Sequence, residues 1–388
     1  MTIKENKKND FSAKERLVLN IINYEEDYKD SFEESSFWQK NKNLLIIFYL
    51  YKDELDKKDF PIIKSVLHNF DPVDLEIIKQ DWQTIIDKIK AGEAHNISEG
   101  DTMYLAACTK GANAKSIRKQ PFSNIPAKQR AFSLKSSYMS AFARRVIDRQ
   151  LIPSLFNVDE LKSKTTLQLL QERFAPYIGK RVSEIAKLVD IPVTKNKAFN
   201  ANLISAVLGV KGTKLESLRE FSKANIKFKT IRLEPTGIPK EHMSFEQIDF
   251  HRWVNDAWED SQLYEKFEYT KYLFVVFQYD ETEKENKNRE PYLKGIMLWN
   301  MPEVVIEHEL KDLWKTTKAI LEEGVQLTPV RNGVSNNLPG ASFNGICHIR
   351  PKARDGNDKV MLPDGQEITK QCYWLNREYI AEIIKELS

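Results

Sequence analysis

The sequence predicts an α/β fold present twice, as two tandem domains with mixed sheets flanked by helices. Three observations carry this. Segments with apolar residues at helical spacing alternate with short apolar runs of strand length. One ordered set of features recurs: Asp81-Trp82, a helix ending at Gly92, Tyr104-Leu105 leading to Lys110, then Arg130-Ala-Phe-Ser-Leu-Lys135 and Tyr138. The second copy reads Trp314, Gly324, His348-Ile349 leading to Arg350-Pro351-Lys352, then Cys372-Tyr-Trp-Leu-Asn-Arg377 and Tyr379. The Trp-to-Gly spacing is ten residues in both (92 − 82 and 324 − 314). The third observation is length: 388 residues suit two domains. A repeat this long marks duplicated domains and not a solenoid of short units.

The elements follow in order. Residues 14–23 read as a strand through Leu17, Val18, Leu19, Ile21 and Ile22, and 24–36 as an acidic loop. The aliphatic and aromatic run 44–51 reads as a buried strand. Residues 75–91 place Leu75, Ile78, Trp82, Ile85, Ile86 and Ile89 on one helical stripe, and Gly92 ends the helix. Tyr104 to Cys108 is a short strand, and Phe132 to Ala143 begins as a strand and becomes a helix. Pro153 and a polar stretch interrupt the pattern near 150–163. Helices follow at 164–176, 181–190 and 198–209, with Ser183 and Glu184 suited to a helix start. Ile226 to Leu233 and Tyr272 to Tyr279 are strands, 280–293 is a charged hairpin tip or loop, and 308–323 is the helix matching 75–91.

Composition narrows the function classes. With 41% apolar residues each half can build a core. Cys108, Cys347 and Cys372 have no paired spacing, which argues against a disulfide framework and a zinc site and suits a reducing cytoplasm. The six histidines are scattered. The first ten residues carry no apolar signal region. The longest apolar run, Leu44 to Tyr51, is far short of the ~20 residues of a membrane helix. The net charge of +3 hides an uneven distribution: from Lys110 to Arg149 there are ten Lys or Arg and one acid, Asp148. That stretch is interleaved with Phe122, Phe132, Tyr138 and Phe142, the pattern of a phosphate-neutralising face whose binding weakens with salt.

Tyr104-Leu-Ala-Ala-Cys-Thr-Lys-Gly-Ala-Asn-Ala-Lys115 and Arg130-Ala-Phe-Ser-Leu-Lys135 resemble the MutH family. That family includes a mismatch-repair nicking endonuclease and two-domain, Sau-type restriction endonucleases specific for GATC. Lys14-Glu-Arg-Leu-Val-Leu-Asn-Ile-Ile-Asn-Tyr24 and Gln129-Arg130-Ala-Phe-Ser-Leu-Lys135 resemble the restriction branch in particular. The resemblance covers nearly the whole chain. It implies an N-terminally incomplete MutH-like catalytic domain over 1–155 and a second, catalytically degenerate MutH-like domain over 156–388 that binds DNA as an effector.

The resemblance also implies Mg²⁺-dependent hydrolysis of phosphodiester bonds, with the metal held by an Asp and by the Glu of a Glu-x-Lys motif. Two carboxylates neutralise a hard cation, the metal polarises the scissile phosphate, and the lysine positions or deprotonates water. In the second domain Glu220 stands for the Asp and Lys229 matches the motif lysine, but Lys227 stands where the Glu belongs, and a cation there repels Mg²⁺. In the first domain Lys40 resembles a further active-site lysine. Equating Phe48 with Phe277 pairs Lys40 with Tyr269, and the 42 residues from Lys227 to Tyr269 (269 − 227) then put the first domain's Glu at −2 (40 − 42). The expectation is that the chain begins after the motif, inside the catalytic domain, and no metal ligand is assigned. A sheet incomplete at one side exposes an edge, so the first domain is expected to be the less stable one.

For DNA contact the resemblance nominates Lys110 and Lys115 in the recognition loop, with Arg130, Ser133 and Lys135 beside it. In the second domain it nominates Arg350, Lys352, Trp374 and Asn376. Arg or Lys on guanine is the commonest base reading. The first domain has Ser133 and the second Trp374 where the nicking enzyme has a tyrosine that contributes to methylation sensing, so dependence on adenine methylation does not carry over. The implied function is type II restriction at GATC in double-stranded DNA, the second domain binding a second site as a tethering or allosteric element. Two alternatives stand: a non-catalytic GATC-binding remnant, and a mismatch-repair nickase, against which the duplication counts. No membrane partner is expected. A cognate methyltransferase is expected genetically and not as a physical partner.

Overall fold

The computed structural model describes residues 1–6, 10–111, 116–196, 198–331 and 333–387. It holds two compact units: Met1–Pro176 with Val189–Phe228, and Tyr177–Leu188 with Lys229–Ser388. Val189–Phe228, expected with the second domain, packs in the first unit.

The first unit contains β1 (Thr2–Glu5), β2 (Phe11–Ala13), β3 (Leu17–Ile21), β4 (Asn43–Leu50), β5 (Ile62–Asn69), β6 (Leu105–Thr109), the pair β7 (Ile117–Gln120) and β8 (Ser123–Lys128), and β9 (Arg130–Leu134). One sheet has the order β2-β1-β4-β5 and another β3-β9-β6. β1 runs parallel to β4, and β3 and β6 run antiparallel to β9. Three helices frame them: α1 (Ser36–Asn41), α2 (Pro72–Lys90) and α3 (Ser136–Ile147).

Helix α2 forms where its apolar stripe predicts. Asp71 caps it by accepting the Val73 N–H at 3.1 Å, and Pro72 occupies the first turn, where no N–H is needed. Ile77, Ile78, Trp82, Ile85, Ile86 and Ile89 are buried. Gly92 follows at φ +73°, and a Cβ there would lie 2.6 Å from the Phe122 carbonyl oxygen, so only glycine fits. From the same helix, buried Asp81 accepts the backbone N–H groups of Met103 (2.6 Å), Tyr104 (2.6 Å) and Leu105 (2.8 Å), which fixes the start of β6. Burial pushes its carboxyl up to about 6, against the pull of those three donors.

The run 44–51 is a strand, but it is buried on one face only. Ile46 and Phe48 face the core, whereas Leu45 is 69% exposed and its cross-strand partner Leu67 64%. Strand β5 itself went unread in the sequence.

The second unit repeats the plan. β10 (Ile226–Leu233) straddles the division at residues 228/229 and is followed by β11 (Met243–Gln247), β12 (Lys271–Gln278), β13 (Tyr292–Trp299), the pair β14 (Leu327–Val330) and β15 (Gly333–Asn336), β16 (Cys347–Pro351), the pair β17 (Lys359–Met361) and β18 (Glu367–Thr369), and β19 (Gln371–Leu375). Its sheets have the orders β10-β12-β13 and β11-β19-β16. The helix Lys311–Glu323 repeats α2. Its core gathers Trp253, Phe267, Tyr272, Phe274, Leu313 and Tyr373. No described helix is long and apolar enough to cross a membrane.

Strand register makes the duplication quantitative. Val18 pairs with Ser133 as Ser244 pairs with Trp374, and Ala106 with Ser133 as His348 with Trp374. The Lys110 N–H donates to the Gln129 carbonyl, and the Lys352 N–H to that of Lys370. Lys110 and Lys352 therefore hold one post in the two copies.

Candidate nucleic-acid interface and degenerate metal site

Lys40 sits on α1, which starts where the Ser35 hydroxyl accepts the Trp38 N–H at 3.2 Å. Buried Phe37 anchors the helix, and the Asn41 amide donates to Asn20 Oδ1 (2.9 Å) and the Phe37 carbonyl (2.7 Å). Exposed Lys40 lines a cleft of about 370 Å³ with Met1, residues 17–20, Asn41 and residues 44–47. None of those lining residues is an acid. Buried Asp27 feels Lys40, but its oxygens already accept from the Asn23 N–H (2.9 Å) and the Ser36 hydroxyl (3.1 Å), and burial raises its pKa.

The counterpart of Lys40 is Lys266 and not Tyr269. Ser35 and Ser261 are equivalent caps, Phe37 and Leu263 equivalent anchors, and Val18 and Ser244 equivalent strand residues, all 226 apart (261 − 35, 263 − 37, 244 − 18). Lys40 and Lys266 share that offset (266 − 40). The following strands are offset by 228, because their bulges fall after Phe48 and after Val276 (276 − 48). Two residues more lie between helix and strand in the second copy, so equating Phe48 with Phe277 shifted the alignment. The Tyr51 N–H donates to the Ile3 carbonyl and the Tyr279 N–H to that of Leu233.

Of the recognition-loop candidates, Lys110 is exposed at the end of β6, and Lys115 lies outside the described residues. Arg130 and Ser133 are buried: the guanidinium donates to the Ala107 carbonyl at 2.8 Å, and the Ser133 hydroxyl faces that of Ala106 at 3.5 Å. Both side chains serve the β6–β9 backbone, which corrects their expected place on the surface. Half-buried Lys135 donates to the Thr102 carbonyl at 2.6 Å.

In the second unit β16 and β19 bring three nominated residues to one face. The Trp374 indole N–H donates to the Arg350 carbonyl at 3.1 Å, and its ring lies 5.7 Å from the Arg350 guanidinium and 5.8 Å from the Lys352 ammonium. Asn376 does not join them. It is buried, hydrogen-bonded to His348 Nδ1 at 2.5 Å and donating to the Ala341 carbonyl at 2.8 Å.

The degenerate motif has been put to other use. Glu220 is 0% exposed, and its carboxylate accepts from the Ser154 hydroxyl (2.6 Å) and the N–H groups of Leu155 (3.0 Å) and Phe156 (3.4 Å). It fixes the turn at 154–156, and both carboxylate oxygens are engaged by those donors. Lys229 donates to the Ser244 carbonyl at 3.0 Å and lies 4.8 Å from the Phe245 ring. Burial pushes its pKa down to about 8, with Lys266 and Lys352 adding to the shift and Glu246 opposing it. The folded chain thus holds this proton less tightly than the unfolded one. The ammonium opposes folding below about pH 8, and that opposition fades as pH rises toward 10.5. Urea unfolding should therefore find wild type gaining on Lys229→Met between pH 7.5 and 10; a constant difference would contradict the shift.

Among the described residues no group of three or more His, Cys, Asp or Glu could hold a metal ion. With Glu220 buried and hydrogen-bonded and no such group assembled, the described residues do not fit Mg²⁺. The sequence did not single out Lys266, Ser244 or Glu246; the five-residue step from cap to lysine, the same in both copies (40 − 35 and 266 − 261), was the available signal.

The family model described as DNA mismatch repair enzyme MutH matches residues 1–81 and 212–312. The type II restriction enzyme Sau3AI of Staphylococcus aureus is 36% identical over 425 aligned positions, taking in 99% of this chain and 86% of that enzyme.

Proposed function

The chain belongs to the MutH and Sau3AI-like family of restriction endonucleases, and on that premise we propose that it recognises GATC in double-stranded DNA within a type II restriction system. The family's reaction is phosphodiester hydrolysis, which we take to use Mg²⁺. The observation that carries the reading is the face of β16 and β19, where Arg350, Lys352 and Trp374 stand together, with Lys110 at the equivalent post of the first copy. Cations there neutralise phosphates and can reach guanine.

In this reading the first domain is the catalytic one, and Lys40 is its active-site lysine. The second domain holds a second GATC copy and tethers the two sites, which raises effective concentration. A second reading, binding without hydrolysis, is favoured by the sealed Glu220 and by Lys227. In this reading the protein works in the cytoplasm, on double-stranded DNA containing GATC.

The test incubates the 388-residue chain with Mg²⁺ and a GATC plasmid beside a GATC-free control, with binding followed by gel shift. GATC-dependent binding is expected under both readings, and cleavage decides between them. Cleavage at GATC would sink the second reading and mean that carboxylates not assembled among the described residues complete the site. Equal binding to both plasmids would sink GATC recognition.

A further inference from the structure

Two ammonium groups of the second unit meet at Ser244 of β11, and a third stands beside them on Glu246 of the same strand. Lys229 donates to the Ser244 carbonyl at 3.0 Å, and Lys352 donates to the Ser244 hydroxyl at 2.6 Å. Lys266 is close enough to act on Lys229 electrostatically and is itself ion-paired with Glu246 at 2.8 Å. Among the described residues neither Lys229 nor Lys352 has a carboxylate within ion-pairing distance, and Glu246, which acts on Lys229 electrostatically, is paired with Lys266. Three cations against one carboxylate leave the cluster at +2 (3 − 1).

That charge is held in a costly place. Lys229 is half-buried on the rings of the core, beside Phe245, where an unpaired cation is disfavoured. A half-buried cation left without an ion-pairing carboxylate marks a candidate anion site. The neighbours say which ligand. Arg350 and Trp374 flank Lys352, making a cationic and aromatic rim, and Glu246 is tied to Lys266 and so is kept from opposing an anion. Lysines bind phosphate as point charges, needing neither a planar partner nor a metal.

We infer that Lys229 and Lys352, supported by Lys266, form a metal-independent seat for a phosphate of the DNA backbone, where a cutting domain would hold its metal ion. This rests on the reading that the second domain binds duplex DNA. The site is thereby more than a nuclease site that has lost a carboxylate: its cation is built in, and it binds DNA without dividing that phosphate.

The test uses the full chain and a fluorescein-labelled GATC duplex, with anisotropy titrations over a range of KCl in EDTA and in Mg²⁺. In parallel, lysines are acetylated with and without the duplex and read by mass spectrometry. Binding is expected to be as tight in EDTA as in Mg²⁺, and the duplex should protect Lys229 and Lys352 several-fold. Lys229→Met and Lys352→Met should each lower the slope of log K against log salt by about 1, the loss of one phosphate contact. Lys385→Met, on an exposed helix end, should not. Lys352 is exposed, so its variant reports even if Lys229→Met folds poorly. Binding that needs Mg²⁺, or Lys229 labelled equally with and without duplex, would overturn the seat while leaving GATC binding intact. Absence of duplex binding altogether would remove both.

Discussion

Asp81→Ala is expected to cost the first unit about 3 kcal/mol or more at pH 5, because it strands three buried N–H groups, each worth about 1–3 kcal/mol when left unpaired. Both carboxylate oxygens are engaged at the start of β6, by the N–H groups of Met103, Tyr104 and Leu105. The cost should shrink toward pH 7. A carboxyl raised by burial to about 6 favours folding in its neutral form, so its contribution is complete below the unfolded value of 3.8 and is lost as pH rises through 6. Urea unfolding of wild type and variant at the two pH values measures this. A loss under 1 kcal/mol at pH 5 would mean that water serves those amides. Lys110 ends the strand that Asp81 starts, so duplex binding should weaken together with stability.

Asp81 also shows why some of the fold was legible and some was not. Trp82 and Trp314, and Gly92 and Gly324, recur at fixed spacing because helix stripes and helix stops are local matters. The group that serves the next strand is not local. In the second copy the position before the tryptophan is buried Leu313, and the Ile346 and Cys347 N–H groups go instead to Asn344 Oδ1, both at 3.0 Å. The same function has moved along the chain, where a residue-by-residue match cannot follow it. Strands β1, β2 and β5 escaped notice because they are short or lack a continuous apolar run.

The candidate site was legible to a similar depth. The basic stretch from Lys110 to Arg149 stood out by charge, yet charge does not say which cations point inward. Arg130 and Ser133 lie on β9, whose five residues are all buried, so neither of its faces is a surface. Lys40 was found, but its partner was missed by the two-residue difference ahead of β4 and β12. That difference coincides with another: Leu273, the counterpart of exposed Leu45 (273 − 45 = 228), is 0% exposed. In the second unit Tyr177–Leu188 lines β13, the Gly179 N–H donating to Leu293 at 2.8 Å, while Leu387 packs 3.5 Å from where a Cβ on Gly295 would be. One sequence pattern therefore serves a covered strand and a half-covered one.

Lys223→Met is expected to cost the first unit about 3–5 kcal/mol, the penalty of leaving one member of a buried ion pair alone. Asp74 is 0% exposed and sits in the first turn of α2, where it contacts Lys223, accepts from the Tyr138 hydroxyl at 3.1 Å and lies 3.8 Å from Arg219. Arg219 reaches on to Asp71 at 3.0 Å, so both acids at the start of α2 are tied to the helix Arg219–Ala224. This linkage holds Val189–Phe228 in the first unit and explains why the packing departs from a boundary read off Pro153. Burial pushes the Lys223 ammonium down to about 8 even beside Asp74, so the desolvation of the pair is not fully repaid. The double variant Asp74→Leu with Lys223→Met should accordingly recover most of the loss, and a double-mutant cycle in urea should give a coupling of about 2–3 kcal/mol. Additive losses would mean that the two side chains act separately. Proteolysis supplies a second readout: cleavage between residues 189 and 218 should accelerate in Lys223→Met and return toward the wild-type rate in the double variant, which leaves no buried charge uncompensated.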